Sequence, residues 1–155
     1  MTRDDLIARI HAIEQAYEFM LAYAAQGLPG DTGTPSGGEL REFLARAAAA
    51  VAGLGAALTA IVARDRLEPA PAYLAFRDVL EHDARGALAA IELVRAQASI
   101  SSQVIDNLNA SIHVRALLTD LFLLGELLKR SQEQQGSREI VDAESAERAG
   151  STEKL

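Results

Sequence analysis

The chain has 155 residues, 49% hydrophobic but only 5% aromatic, and its 22 acidic against 15 basic side chains give a net charge of −7. That length holds one core rather than two comfortable domains, and the acidic balance excludes general affinity for nucleic acid or for an anionic membrane surface, which need clustered Lys and Arg. The absence of cysteine excludes disulfides, thiolate chemistry and Cys-ligated zinc or iron–sulfur clusters.

An Ala-rich, aromatic-poor composition favours close-packed helices over a sheet, so the expected fold class is all-α. The first helix is predicted over about 3–26, with Thr2 as N-cap and Asp4 and Asp5 in the first turn, where acids complement the helix dipole. Leu6, Ile10, Ile13, Tyr17, Met20 and Ala24 recur at helical spacing and mark its core stripe. His11, Glu14 and Glu18 lie along its flank on adjoining turns. The MTRDDLIARI start carries charges and no apolar signal core, which makes the cytoplasm the expected location.

The segment Gly27 to Gly38, GLPGDTGTPSGG, cannot continue a helix and is expected to be a flexible crossover. It has no Gly-Lys-Ser/Thr and no preceding strand, so it is not a phosphate loop. The second helix is predicted over about 39–63. From Ala47 to Ala63 it carries no charge, and small residues including Ala52 and Ala56 repeat every four positions. Such rows let two helix backbones approach closely, within the chain or across a dimer. Arg46 and Arg64 bracket this run, which is short and rich in Ala and Gly, so insertion in a membrane is not expected.

The third helix is predicted over about 71–98. Asp83 sits among its core residues Leu80, Ala87 and Ile91, and an acid on an apolar face needs a partner. The fourth helix is predicted over about 101–130, with Ser101 or Ser102 as its cap and Val104, Leu108, Ser111, Arg115, Leu118 and Phe122 on one face. The short SISS junction makes these two helices antiparallel neighbours, so Arg115 is the expected partner of Asp83 in a buried structural pair. Asp106, Asn109, His113 and Asp120 form a polar line read as a solvent edge. From Leu117 to Leu128 the helix is apolar nearly all round, which predicts burial on more than one side. Leu117, Leu121, Leu124 and Leu128, with Ala52 and Ala56, are the expected interface of a homodimer. Twelve residues are too few to span a bilayer.

Residues 131–155 hold six acids, three bases and few large apolar side chains, and are expected to form a polar, flexible tail behind a 1–130 bundle domain. The expected architecture is a four-helix bundle with a long Gly/Pro-rich loop after the first helix. No nucleophile, oxyanion donor or cofactor motif accompanies the acids and histidines, so no catalytic residue and no cofactor is assigned. The functional expectation is a non-enzymatic interaction protein (an adaptor, assembly factor or regulator) acting as a homo-oligomer, with a protein as its further partner. The alternative is a ligand- or metal-binding bundle with His11, Glu14, Glu18 and His113 as donors, although the Glu-x-x-His signature of di-iron bundles is absent.

Overall fold

The computed structural model describes residues 1–152. They form six helices with no strand among them: α1 (Arg3–Ala25), α2 (Pro35–Val51), α3 (Leu54–Asp65), α4 (Ala70–Arg95), α5 (Ser102–Ala110) and α6 (Ile112–Thr152). The chain is all-helical as expected, but four helices become six because the predicted second and fourth are each broken once. By compactness it divides into Met1–Phe122 and Leu123–Leu155. The end of the expected tail, residues 153–155, lies outside the described residues.

In the first unit α1 packs on α2 and α5, α3 on α4, and α2 on α4. The start of α1 is a reciprocal cap. The Asp5 N–H donates to Thr2 Oγ1 at 3.1 Å, and the Thr2 N–H donates to Asp5 Oδ2 at 2.7 Å. The Thr2 N–H, and then the Thr2 hydroxyl donating to the same Oδ2 at 2.8 Å, hold the exposed Asp5 carboxyl below its usual pKa. One turn-by-turn stripe, Leu6, Ile10, Ile13, Ala16, Met20 and Tyr23, is buried. Arg3, only 7% exposed, ties this end of α1 to Asp65 at the end of α3 through a 3.1 Å contact.

The break between α2 and α3 follows from two residues. Ala52 is extended and Gly53 is left-handed (φ 76°), a conformation that only glycine adopts without penalty. The helices bend by 47° there, and Arg9 Nη1 donates at 2.9 Å to the Ala52 carbonyl at the end of α2. A close helix–helix approach occurs at Gly55, outside the predicted row: a Cβ on this α3 residue would stand 3.0 Å from Glu81 Cβ of α4. Ala52 and Ala56 are exposed.

The second break is at Ser111, which is extended and accepts the Val114 N–H on its Oγ at 3.3 Å, acting as the cap of α6. Ser101 caps α5 in the same way, accepting from Val104 at 3.1 Å. Interrupting the helix resets its phase, so the face predicted from an unbroken helix is only partly the buried one. Leu108 and Leu118 of that face are buried, but Val104, Arg115 and Phe122 are exposed, and Val114, Leu117, Asp120 and Leu121 are buried beside them.

In the second unit, Leu124 and Leu128 are buried and Leu123 and Leu127 are exposed. The helix continues through the segment expected to be a polar, flexible tail, and every side chain from Gln132 to Ser151 is exposed. Among the described residues no single helix is long and apolar enough to cross a membrane; only α2 and α3 taken together, across their bend, reach that length and composition.

Candidate functional site

Two buried acids organise the polar interior of the first unit. The first is Asp31, 7% exposed, in the connection between α1 and α2. Its carboxylate accepts the Ile100 backbone N–H at 2.6 Å and the Arg41 guanidinium through Nε at 2.5 Å. Arg41 Nη2 also donates to the Gln97 carbonyl at 2.9 Å, and Nη1 reaches the Arg95 carbonyl at 3.3 Å, so one cation closes the C-terminal end of α4. Around it, the Tyr23 hydroxyl donates to the Ile100 carbonyl at 2.7 Å, Ser102 Oγ donates to the Tyr23 carbonyl at 2.7 Å, and the Leu28 N–H donates to Ser102 Oγ at 2.8 Å. The Arg41 bond holds the Asp31 carboxyl below its ordinary range, and burial raises the Tyr23 phenol.

This network corrects the reading of the Gly/Pro segment as a flexible crossover. Thr34 caps α2 and Pro35 opens it, so the connection is shorter than its composition suggests. A Cβ on Gly37 would fall 1.9 Å from the Asp31 carbonyl oxygen, so the glycine is there for close backbone approach rather than freedom. Every polar group of the cluster has a partner, which makes it a structural latch.

The second acid is Asp120 on α6. It is 9% exposed, its Oδ2 has no hydrogen-bond partner, and Asp83 of α4 is the acid that acts on its carboxyl. Burial, and then the bond and charge of Asp83, push its pKa up to about 7. Asp83, half-buried on α4, is thus set against another acid rather than a base. Arg115 is exposed on α6, and the expected Asp83–Arg115 pair is not formed. The missed signal was the cap at Ser111: with the helix restarted there, Asp120 turns inward and Arg115 outward. Of the polar line read as a solvent edge, two members face solvent and two are buried. Asn109 is buried, with neither amide atom hydrogen-bonded, whereas Asp106 and His113 face solvent.

The donors named for a metal do not assemble. His11 Nδ1 stands 3.3 Å from Glu14 on the exposed flank of α1, and Glu18 is exposed beyond them. His113 lies beside α4, its Nδ1 3.0 Å from where a Gly86 Cβ would be. Among the described residues no three His, Asp or Glu side chains are grouped to hold a metal ion. The leucines expected at a dimer interface are equally displaced: Leu117, Leu121, Leu124 and Leu128 are buried within the chain, and the large apolar side chains that α6 leaves exposed along this stretch are Phe122, Leu123 and Leu127. Comparison with protein-family models, with curated proteins and with solved structures finds no match to this chain.

Proposed function

We propose that the chain is a non-enzymatic interaction module that acts as a homo-oligomer, with the exposed apolar side chains of α6 covered by a second copy. The observation that carries this reading is the exposure of Leu123 and Leu127, at 52% and 43%, one turn apart on the same side of one helix. Phe122, at 55%, directly precedes them. Large apolar side chains clustered on one sector mark interaction surfaces. The same sector carries Glu126 and Arg130, joined at 3.1 Å. A surface bearing both charges along a helix complements itself when a second copy lies antiparallel, Glu126 of each facing Arg130 of the other, as a two-fold interface requires.

Light scattering across a range of protein concentrations tests the reading. A dimer mass for the wild type and a monomer mass for Leu127→Glu, with unchanged circular dichroism, are expected. A wild type that stays monomeric at the highest concentration overturns it.

A further inference from the structure

We propose, resting on the homo-oligomer reading, that the two copies meet along most of α6: the polar C-terminal half of each α6 lies on the first turns of the other. Val141 of one copy packs between Ile112 and Ala116 of the other, and Glu144 meets Arg115. Ile112, at 75%, is the most exposed large apolar side chain among the described residues. Ile140 and Val141 are the large apolar side chains of the stretch from Gln132 to Ser151, and both are exposed. That stretch is helical although every one of its side chains faces solvent. A polar helix with no packed face is marginal in water, and contact with a second copy supplies the missing support.

Helix periodicity places these residues on the side of α6 that Leu123 already marks. Ile112, Leu123 and Val141 are separated by eleven and eighteen residues, close to three and five whole turns, so they line up along one side. Arg115, Glu126 and Glu144 repeat the same two spacings and form a line on the flank beside it. Arg115 and Glu144 are exposed, and among the described residues neither belongs to an ion pair of its own chain.

The antiparallel register then fixes what meets what. With Glu126 opposite Arg130, a residue ten positions beyond Arg130 comes opposite one ten positions before Glu126, so Ile140 stands level with Ala116 of the other copy. Val141 falls one step further on, between Ala116 and Ile112 of that copy. In an antiparallel pair related by a two-fold axis, like flanks adjoin. Glu144 therefore lies beside Arg115 of the other copy, one turn along, within reach of so long a side chain. The opposite charges complement each other, and the symmetry makes the contact twice.

The chain has no cysteine, so introduced thiols report the register. Full-length Ala116→Cys and Val141→Cys chains are mixed in equal amounts under oxidising conditions, while light scattering follows the mass of the wild type. Positions 116 and 141 are about seven helical turns apart and cannot meet within one chain. The expected product is a mixed disulfide joining one chain of each kind, in excess over either like pair. A charge exchange tests the flank. Arg115→Glu or Glu144→Arg alone should weaken association about 10-fold, and the two together in one chain should restore it. A wild-type dimer that gives no mixed disulfide, or a combined variant no stronger than the single ones, overturns this inference and leaves the homo-oligomer reading standing. Disulfides that join two Ala116→Cys chains, as parallel helices would give, overturn it equally. A wild type that stays monomeric at the highest concentration overturns both.

Discussion

The two buried acids of the first unit stand in opposite environments. Asp31 is met by a guanidinium and a backbone N–H, both donors, and its carboxyl is held below the ordinary range. Asp120 is met by another carboxyl and keeps one oxygen without a partner, and its pKa rises to about 7. Equal burial of the same residue type therefore has opposite consequences, because what decides the outcome is whether the neighbour donates or repels. The Asp31 contribution is present above 3.8 and lost as the pH falls through its lowered folded value; the Asp120 contribution is present below 3.8 and lost as the pH rises through about 7. For these two groups together, stability is greatest near 3.8.

The comparison breaks most severely at Arg41. Arg41→Met leaves Asp31 buried with its backbone donor alone, and is expected to cost about 3 kcal/mol in urea denaturation at pH 7, less than a wholly buried pair because Arg41 is partly exposed. A loss under about 1 kcal/mol would mean that the cation adds little to the latch. Next in size, and opposite in sign, Asp120→Asn should stabilise by about 2 kcal/mol at pH 8, since it removes a charge that the site cannot solvate. That gain should shrink steadily towards pH 4, where the wild-type acid is itself neutral. Thr34→Ala sharpens the first half of the contrast. Its hydroxyl accepts the Gly37 N–H at 3.0 Å and donates to the Asp31 carbonyl at 3.3 Å, so about 1 kcal/mol should be lost without any change in the pH profile. The smallest effect is expected for Arg115→Ala, within about 0.5 kcal/mol at any pH from 5 to 8. A loss several times larger would restore Arg115 as the partner of Asp83.

Much of the fold is legible in the sequence where the cause is local. Thr2, Asp4 and Asp5 announce the start of α1, and the expected 3–26 differs from Arg3–Ala25 only at its frayed end. The third predicted helix, 71–98, corresponds to α4, although Ala96 already ends it. The breaks were not legible for a reason of scale. Each depends on one residue turning from helical to extended, Ala52 before Gly53 and Ser111 before Ile112, in segments whose composition favours helix on both sides. That turn is decided by what the two halves bury, a tertiary quantity.

The candidate site was half legible for the same reason. That Asp83 needs a partner follows from an acid among leucines and alanines. Which partner it finds depends on the phase of α6, and a one-residue break rotates Arg115 out and Asp120 in. The donors His11, Glu14, Glu18 and His113 show the converse. Their spacing along the chain is favourable, but a metal needs convergence across helices, which spacing does not supply.

By itself, then, the sequence determined that the chain is helical, where α1 begins, that one acid would sit on the apolar face of α4, and that α6 would carry more apolar surface than one side can cover. These are properties of side-chain type and period, set within a few turns of one helix. Only the tertiary structure decided that there are six helices, that the glycine-rich segment is latched by Asp31 and Arg41, and that Asp83 faces Asp120. Each of these depends on groups far apart in the chain meeting in a low-dielectric interior, where the donor or acceptor at hand settles both geometry and charge.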